Sequence, residues 1–225
     1  MKPRVVHPEL LDELPPDDPR AIHSRRDLRR INAIMANASY LLDFLFQSPA
    51  GTDGRSITLA EIGSGDGTIT SKVTCAFAQE KIHGHAILID RQPSGNIQQD
   101  GWTFEKIKAD VFDWLESAPH CDVIIANLFL HHFEDDRLRE LLAKIAKRSA
   151  IFAAVEPRRS AFAEFAARQV GLIGCNDVTR NDAVISVRAG FQNSELSERW
   201  PDRDGWKLTE RKAGLFSHFF GAIRA

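Results

Sequence analysis

From Ile57 onward, short apolar runs alternate with stretches whose apolar residues recur at helical spacing. Ile57-Thr-Leu-Ala-Glu-Ile62 reads as a first strand, and Ile69, Val73, Ala76 and Phe77 mark one face of the helix after it. Ala86–Ile89, Phe104–Ala109, Asp122–Asn127 and Ala150–Val155 read as four more strands. The centre of 122–127 is apolar without interruption, as suits a strand buried on both faces. Before the fifth strand, Leu138, Leu141, Leu142 and Ile145 share a helix face. Glu134, Asp135 and Asp136 stand at the start of that helix and Lys144, Lys147 and Arg148 at its end, the order its dipole favours. Strands alternating with helices predict an α/β fold, a doubly wound parallel sheet with helices on both faces. The last stretch departs from this. Trp206–Lys212 and Leu215–Arg224, joined through Gly214, predict an antiparallel hairpin at the sheet edge.

The flanking segments follow other patterns. Met1–Pro19 is polar and interrupted by Pro3, Pro8, Pro15, Pro16 and Pro19, an extended arm. From Asp27 a helical pattern sets Leu28, Ile31, Met35, Leu42, Leu45 and Phe46 near one face. That helix either packs on the core edge or lies as a lid over a substrate pocket; its spacing fits both. Arg25, Arg26, Arg29 and Arg30 read as its solvated side, with a role in binding phosphate or an anionic substrate as the alternative, and Ser48–Arg55 as a loop. Residues 1–56 thus form an arm and helical cover, and 57–225 the main domain. Between the fifth strand and the hairpin, Phe162, Phe165, Ala166, Gln169 and Val170 predict a helix. A loop at Gly171–Thr179 and a second helix over Asn181–Ala189 follow.

Composition narrows the class of partner. Lys+Arg 29 against Asp+Glu 31 gives a net charge of -2, and no basic stripe is interleaved with aromatics, so a nucleic-acid partner is not expected. Cys75, Cys121 and Cys175 are far apart and form no CxxC pair, which suits a reduced, cytoplasmic chain. No apolar run approaches the roughly 20 residues of a membrane span. Met1–Pro15 lacks the apolar centre of a secretory signal. Oligomeric state is left open by all of this.

The chemistry begins where the first strand ends, in Glu61-Ile-Gly63-Ser64-Gly65-Asp66-Gly67. Glycines at a strand-to-helix turn let the backbone come close to a ligand, and the helix behind them offers free amides. The pattern is G-x-G-x-G, not the dinucleotide G-x-G-x-x-G, because Thr68 follows Gly67 directly. Asp90 closes the second strand, where a carboxylate can accept both hydroxyls of a ribose lying across the strand ends.

LAEIGSGDG, the acid of ILIDR, Ala109-Asp110-Val111-Phe112 and Asn127-Leu-Phe-Leu-His131-His132-Phe133 together resemble the class I S-adenosylmethionine-dependent methyltransferases. The likeness runs over 57–225 and is greatest to the small-molecule branch acting on quinones, other aromatics and polyketides. It implies a Rossmann-like seven-stranded sheet, six strands parallel and the last antiparallel, and S-adenosyl-L-methionine as cofactor. By the resemblance Glu61, Gly63, Ser64, Gly65 and Gly67 line the methionine moiety. Asp90 binds the ribose, Arg91 flanks the adenine and Asp110 bonds its amino group. Val111 and Phe112 pack on the ring, and Asn127 and Leu128 border the transferable methyl.

Methyl transfer chiefly needs alignment of donor and nucleophile, with a base where the nucleophile must lose a proton. His131 and His132 are of the residue type that titrates near neutrality and are the catalytic candidates, to deprotonate or orient a phenol or an acidic ring carbon; the alternative is that they shape the strand-to-helix turn and hydrogen-bond to backbone. No N/D-P-P-Y/F segment follows the fourth strand, which disfavours amino acceptors such as adenine. No third ligand lies in register with the histidine pair, and Glu156, Asp177 and Asp182 match no ligand pattern, so no metal is expected. The expected function is methyl transfer to O or C of a small, aromatic or lipid-like acceptor. The alternatives are a non-catalytic module that binds the same nucleoside, or a protein or RNA methyltransferase.

Overall fold

The computed structural model describes residues 3–15, 17–51 and 56–225. Pro16 of the arm and Thr52–Arg55 of the expected loop lie outside them. The chain opens with three helices: α1 (Leu10–Glu13), α2 (Pro19–Met35) and α3 (Asn37–Phe46). The one helical pattern read from Asp27 is therefore two helices, divided at Ala36 with φ +53°. α2 starts earlier than the apolar spacing suggests, because Pro19 suits a first turn and Asp18 accepts a hydrogen bond from Arg20 N at 2.8 Å. Its buried residues are Ala21, Ser24 and Asp27 rather than Leu28, Ile31 and Met35.

The sheet region follows in the predicted rhythm. β1 (Ile57–Ile62), α4 (Thr68–Gln79), β2 (Gly84–Asp90) and β3 (Trp102–Lys108) form its first half. α5 (Val111–Ser117), β4 (Cys121–Asn127), α6 (Asp135–Arg148) and β5 (Ser149–Pro157) form the second. α7 (Ala161–Arg168), α8 (Asp177–Ala189), β6 (Trp206–Ala213) and β7 (Ser217–Arg224) complete the chain. Strand order is β3-β2-β1-β4-β5-β7-β6. β7 pairs antiparallel with both β5 and β6, so six strands run one way and one runs against them.

Alternation along the buried strands separates two cores. Ala60, Ile62, Ile124, Ala126, Phe152 and Ala154 face α5 and α6. Leu59, Val123, Ile125, Ala153 and Val155 face α3 and α4. α8 packs against α1, α2, α7 and the turn after β4, so these helices gather near the strand ends. α8 begins inside the expected Gly171–Thr179 loop, because Asn176 caps it by accepting from Thr179 N at 2.9 Å. Among the described residues no helix is long and apolar enough to cross a membrane.

Candidate functional site

The strand order reverses between β1 and β4, and α/β sheets open a crevice at such a point, beyond the carboxyl ends of the strands. Parallel register sets Ile62 beside both Ile89 and Ala126, so the residues leaving β1, β2 and β4 emerge at one level. Gly63, Gly65 and Gly67 have φ of +67°, +53° and +73°. A Cβ on Gly63 would stand 2.6 Å from Cγ of Phe129 and closer still to Cδ2; one on Gly67 would stand 2.6 Å from Leu88 Cδ2. Gly65 differs. A Cβ there would meet nothing within 4 Å, so open space adjoins the middle of the turn.

Polar groups surround this space. Asp90 accepts from Gly65 N at 2.8 Å through Oδ2 and from Gln92 N at 2.7 Å through Oδ1, which ties β2 to the glycine turn. Ser64 Oγ is buried without a hydrogen-bond partner among the described residues. Such an orphaned donor beside an open cradle is a feature a bound ligand would satisfy. Glu61, only 2 % exposed, accepts from Thr70 N at 3.0 Å and Thr70 Oγ1 at 2.5 Å. Burial raises its pKa to about 8, and the Thr70 hydrogen bonds offset only part of that rise.

Arg91 grips Asp110 Oδ2 through Nη2 at 2.5 Å and Nε at 3.2 Å. Asp110 Oδ1 caps α5 by accepting from Phe112 N at 2.9 Å. Burial pushes the Asp110 carboxyl up, but Arg91 and the Phe112 amide outweigh it and hold it below its usual range. Val111 and Phe112 are buried, and the Arg137 guanidinium lies 3.7 Å from the centre of the Phe112 ring. Asn127 accepts from Asn37 Nδ2 at 2.8 Å, and Asn37 Oδ1 accepts from Ser217 Oγ at 2.7 Å. This buried chain joins α3, β4 and β7. Leu128 follows with φ +51°, a strained conformation for a branched side chain at the strand end.

His131 and His132 lie in a single 3-10 turn after β4, ring centres 4.3 Å apart, in unlike surroundings. His131 is buried between two carboxylates: Nδ1 is 2.8 Å from Glu156 Oε2 and Nε2 is 3.3 Å from Glu9 Oε1. Burial alone would drive its imidazole towards neutrality. The hydrogen bonds to Glu156 and Glu9 overcome this and raise the pKa to about 9. Glu156 also accepts from Phe129 N at 3.0 Å and Leu130 N at 2.8 Å, shaping the turn. His132 keeps 27 % of its side chain exposed, with Nδ1 3.6 Å from Asp12 Oδ2. Burial first, then the neighbouring His131 charge, lower its pKa.

The structure brings every predicted site residue to the same end of the sheet, but it also adds partners from far along the chain. Arg4 donates to the carbonyls of His131 at 3.1 Å, Phe133 at 2.7 Å and Ala189 at 2.7 Å, fastening the arm over the histidine turn. Glu9 arrives with it. Arg29, read as solvated, donates to Asp66 Oδ2 at 3.3 Å in the glycine turn. Asn37 carries little signal in the sequence either; an asparagine heading the apolar run of α3 is its one sign. Where α2 breaks, Ile34, Met35, Tyr40, Leu215 and Phe216 border a hollow of about 190 Å³. Phe162 stacks on Phe216 with ring centres 5.8 Å apart, and Ile34, Phe162 and Leu215 are exposed.

The sequence matches no family model and no curated protein. Solved structures do match. The plantazolicin methyltransferase BpumL in complex with SAH is 12% identical with a TM-score of 0.63, over 93% of this chain and 92% of that one. The magnesium protoporphyrin IX methyltransferase ChlM from Synechocystis PCC 6803 with bound SAH is 12% identical with a TM-score of 0.54, over 91% and 86%. The mitomycin 7-O-methyltransferase MmcR is 16% identical with a TM-score of 0.55, over 96% of this chain and 60% of that one. This chain has the class I methyltransferase fold. The seven-stranded sheet with its reversed final strand, expected from the sequence, is the architecture these structures share with it.

Proposed function

We propose that the chain transfers a methyl group from S-adenosyl-L-methionine to O or C of a small, apolar acceptor of aromatic or lipid-like character. The observation that carries this reading is the open cradle at Gly65, backed by the Asp90 carboxylate, at the switch point of a methyltransferase-type sheet. Glu61, Gly63, Ser64, Gly65 and Gly67 serve the methionine end of the donor. Asp90 takes the ribose hydroxyls by exchanging its backbone partners for them. Arg91, Asp110, Val111 and Phe112 form the adenine side, and Asn127 and Leu128 the side nearest the methyl.

The donor supplies a methyl already activated on a sulfonium, so these residues work by binding and alignment. In the transfer, a new O–C or C–C bond forms as the sulfur–methyl bond breaks, and the acceptor gives up a proton. His132, whose ring remains partly open, orients the nucleophile or receives that proton. His131, held between Glu9 and Glu156, keeps the turn in shape. The apolar hollow and the exposed Phe162 and Leu215 beside it suit an acceptor with little charge.

Incubation of the purified chain with methyl-labelled donor and a cell extract tests the reading. Label in an extractable small molecule is the expected result. Label confined to precipitated protein or nucleic acid would overturn the acceptor class, and no transfer at all would leave a binding module. Asp90→Ala should weaken donor binding at least about 10-fold, about 1.4 kcal/mol; unchanged affinity would remove the ribose assignment.

A further inference from the structure

We propose that Glu9, His131 and His132 form a site for one divalent transition-metal ion of the zinc class, which pins the N-terminal arm to the end of β4. One ligand atom from each of the three residues lies within 4.8 Å of the others. The two contacts of the His131 ring are unequal, and that inequality is informative. Its Nδ1 meets Glu156 at 2.8 Å, the usual length of a charge-assisted hydrogen bond. Its Nε2 stands 3.3 Å from Glu9, long for such a bond, which is typically about 2.7–2.9 Å. Tetrahedral zinc with nitrogen and oxygen ligands at about 2.0–2.1 Å holds those ligands about 3.3 Å apart. The Glu9–His131 separation matches the edge of such a tetrahedron, with Ser186 Oγ donating to the same Glu9 oxygen, and Glu156 stands where a metal-bound histidine usually donates its other ring hydrogen.

Ligand chemistry and charge agree with the geometry. Two imidazoles and a carboxylate form a borderline donor set, suited to zinc and its first-row neighbours rather than to calcium or magnesium. Asp12 Oδ2, 3.6 Å from His132 Nδ1, borders the fourth position. Asp182 accepts from Leu10 N and Leu11 N at 2.9 Å each, so four carboxylates crowd one corner. The Arg4 guanidinium over the histidine turn is engaged by backbone carbonyls and Asp135. A proton on His131 supplies one positive charge to this corner, and a divalent ion supplies two. The sequence offers no third ligand in register with the histidine pair; the fold supplies it from 122 residues away. With the ion bound, the other His132 ring nitrogen keeps its hydrogen, so it can still orient a nucleophile as a donor but can no longer take its proton; the site is compatible with the orienting form of the methyl-transfer reading.

The test uses tag-free, chelator-treated full-length chain without any methyl donor. Zn²⁺ is titrated in competition with a chromophoric chelator, and Co²⁺ is followed by its visible d–d absorption. One ion per chain is expected, with cobalt bands typical of mixed nitrogen and oxygen ligation. Glu156→Gln should weaken the affinity about 10- to 100-fold, and Glu9→Gln and His132→Gln at least as much, with thermal melts confirming that each variant is folded. Absence of a stoichiometric ion in the wild-type chain, or wild-type affinity in folded Glu9→Gln and His132→Gln, would overturn the site and leave a protonated His131 as the counter-charge. Neither result bears on methyl transfer, which the labelling assay decides separately.

Discussion

Replacing Gly65 by alanine separates ligand space from folding space in the glycine turn. The Gly65 backbone has φ +53°, and a Cβ there meets nothing within 4 Å. The only cost to the free chain is then the left-handed conformation, about 1–2 kcal/mol for a residue bearing a Cβ. For a chain of this length, each kcal/mol lowers the melting temperature by about 2–4 °C. Gly63→Ala carries the same backbone cost at φ +67° and also drives a methyl into the Phe129 ring, 2.6 Å from Cγ. Overpacking of that kind adds about 1–3 kcal/mol. In urea melts Gly65→Ala should therefore be the milder substitution. Calorimetric titration with S-adenosylhomocysteine should reverse the impression: the methyl on Gly65 stands in the cradle, and affinity should fall at least about 10-fold. A folded Gly65→Ala variant that binds the ligand with wild-type affinity would refute the claim that this space is the cofactor's.

Two further predictions rest on buried polar groups. Glu61 has a folded pKa of about 8 against 4.5 in the open chain, so the folded state holds a proton that the unfolded state has released. Its contribution is therefore most favourable below pH 4.5 and declines as pH rises towards 8. Between about pH 5 and 7 the stability of wild type relative to Glu61→Gln should fall by about 3 kcal/mol; a flat difference in paired denaturant melts would contradict the buried, protonated carboxyl. Asn37→Ala should leave Asn127 Oδ1 and Ser217 Oγ without their buried partner. With each orphaned group costing about 1–3 kcal/mol, the variant should lose about 2–6 kcal/mol, and a loss below about 0.5 kcal/mol, the size of an ordinary surface substitution, would mean this hydrogen-bonded chain is dispensable.

Patterns confined to a few neighbouring residues are legible in the sequence itself. The apolar runs in 57–62 and 122–127 mark two central strands to within a residue, because burial on both faces imposes a run that no other local element needs. The glycine turn is legible for a similar reason: positive φ at three alternate positions favours residues without a Cβ. α5 gives no such sign, because seven residues are too few to display a period and its start depends on the single cap at Asp110. The break at Ala36 is equally silent, because alanine itself does not announce a left-handed residue.

What the sequence determined by itself, then, was the alternation of strands and helices through the sheet, the antiparallel hairpin at its edge and the glycine turn after β1. Each follows from side-chain spacing or from the backbone freedom of a single residue. Tertiary structure decided which distant groups share a charge or a hydrogen bond. Glu9 reaches His131 across 122 positions, Asn37 reaches Asn127 across 90, and Arg29 reaches Asp66 across 37. Those pairings arise when the arm and α2 and α3 fold over the strand ends; Glu156 and Glu9 hold the charge on His131 against its burial, while burial raises the pKa of Glu61. A histidine pair written side by side in the chain thus becomes one enclosed ring and one open ring, because desolvation and opposite charge act through space rather than along the sequence.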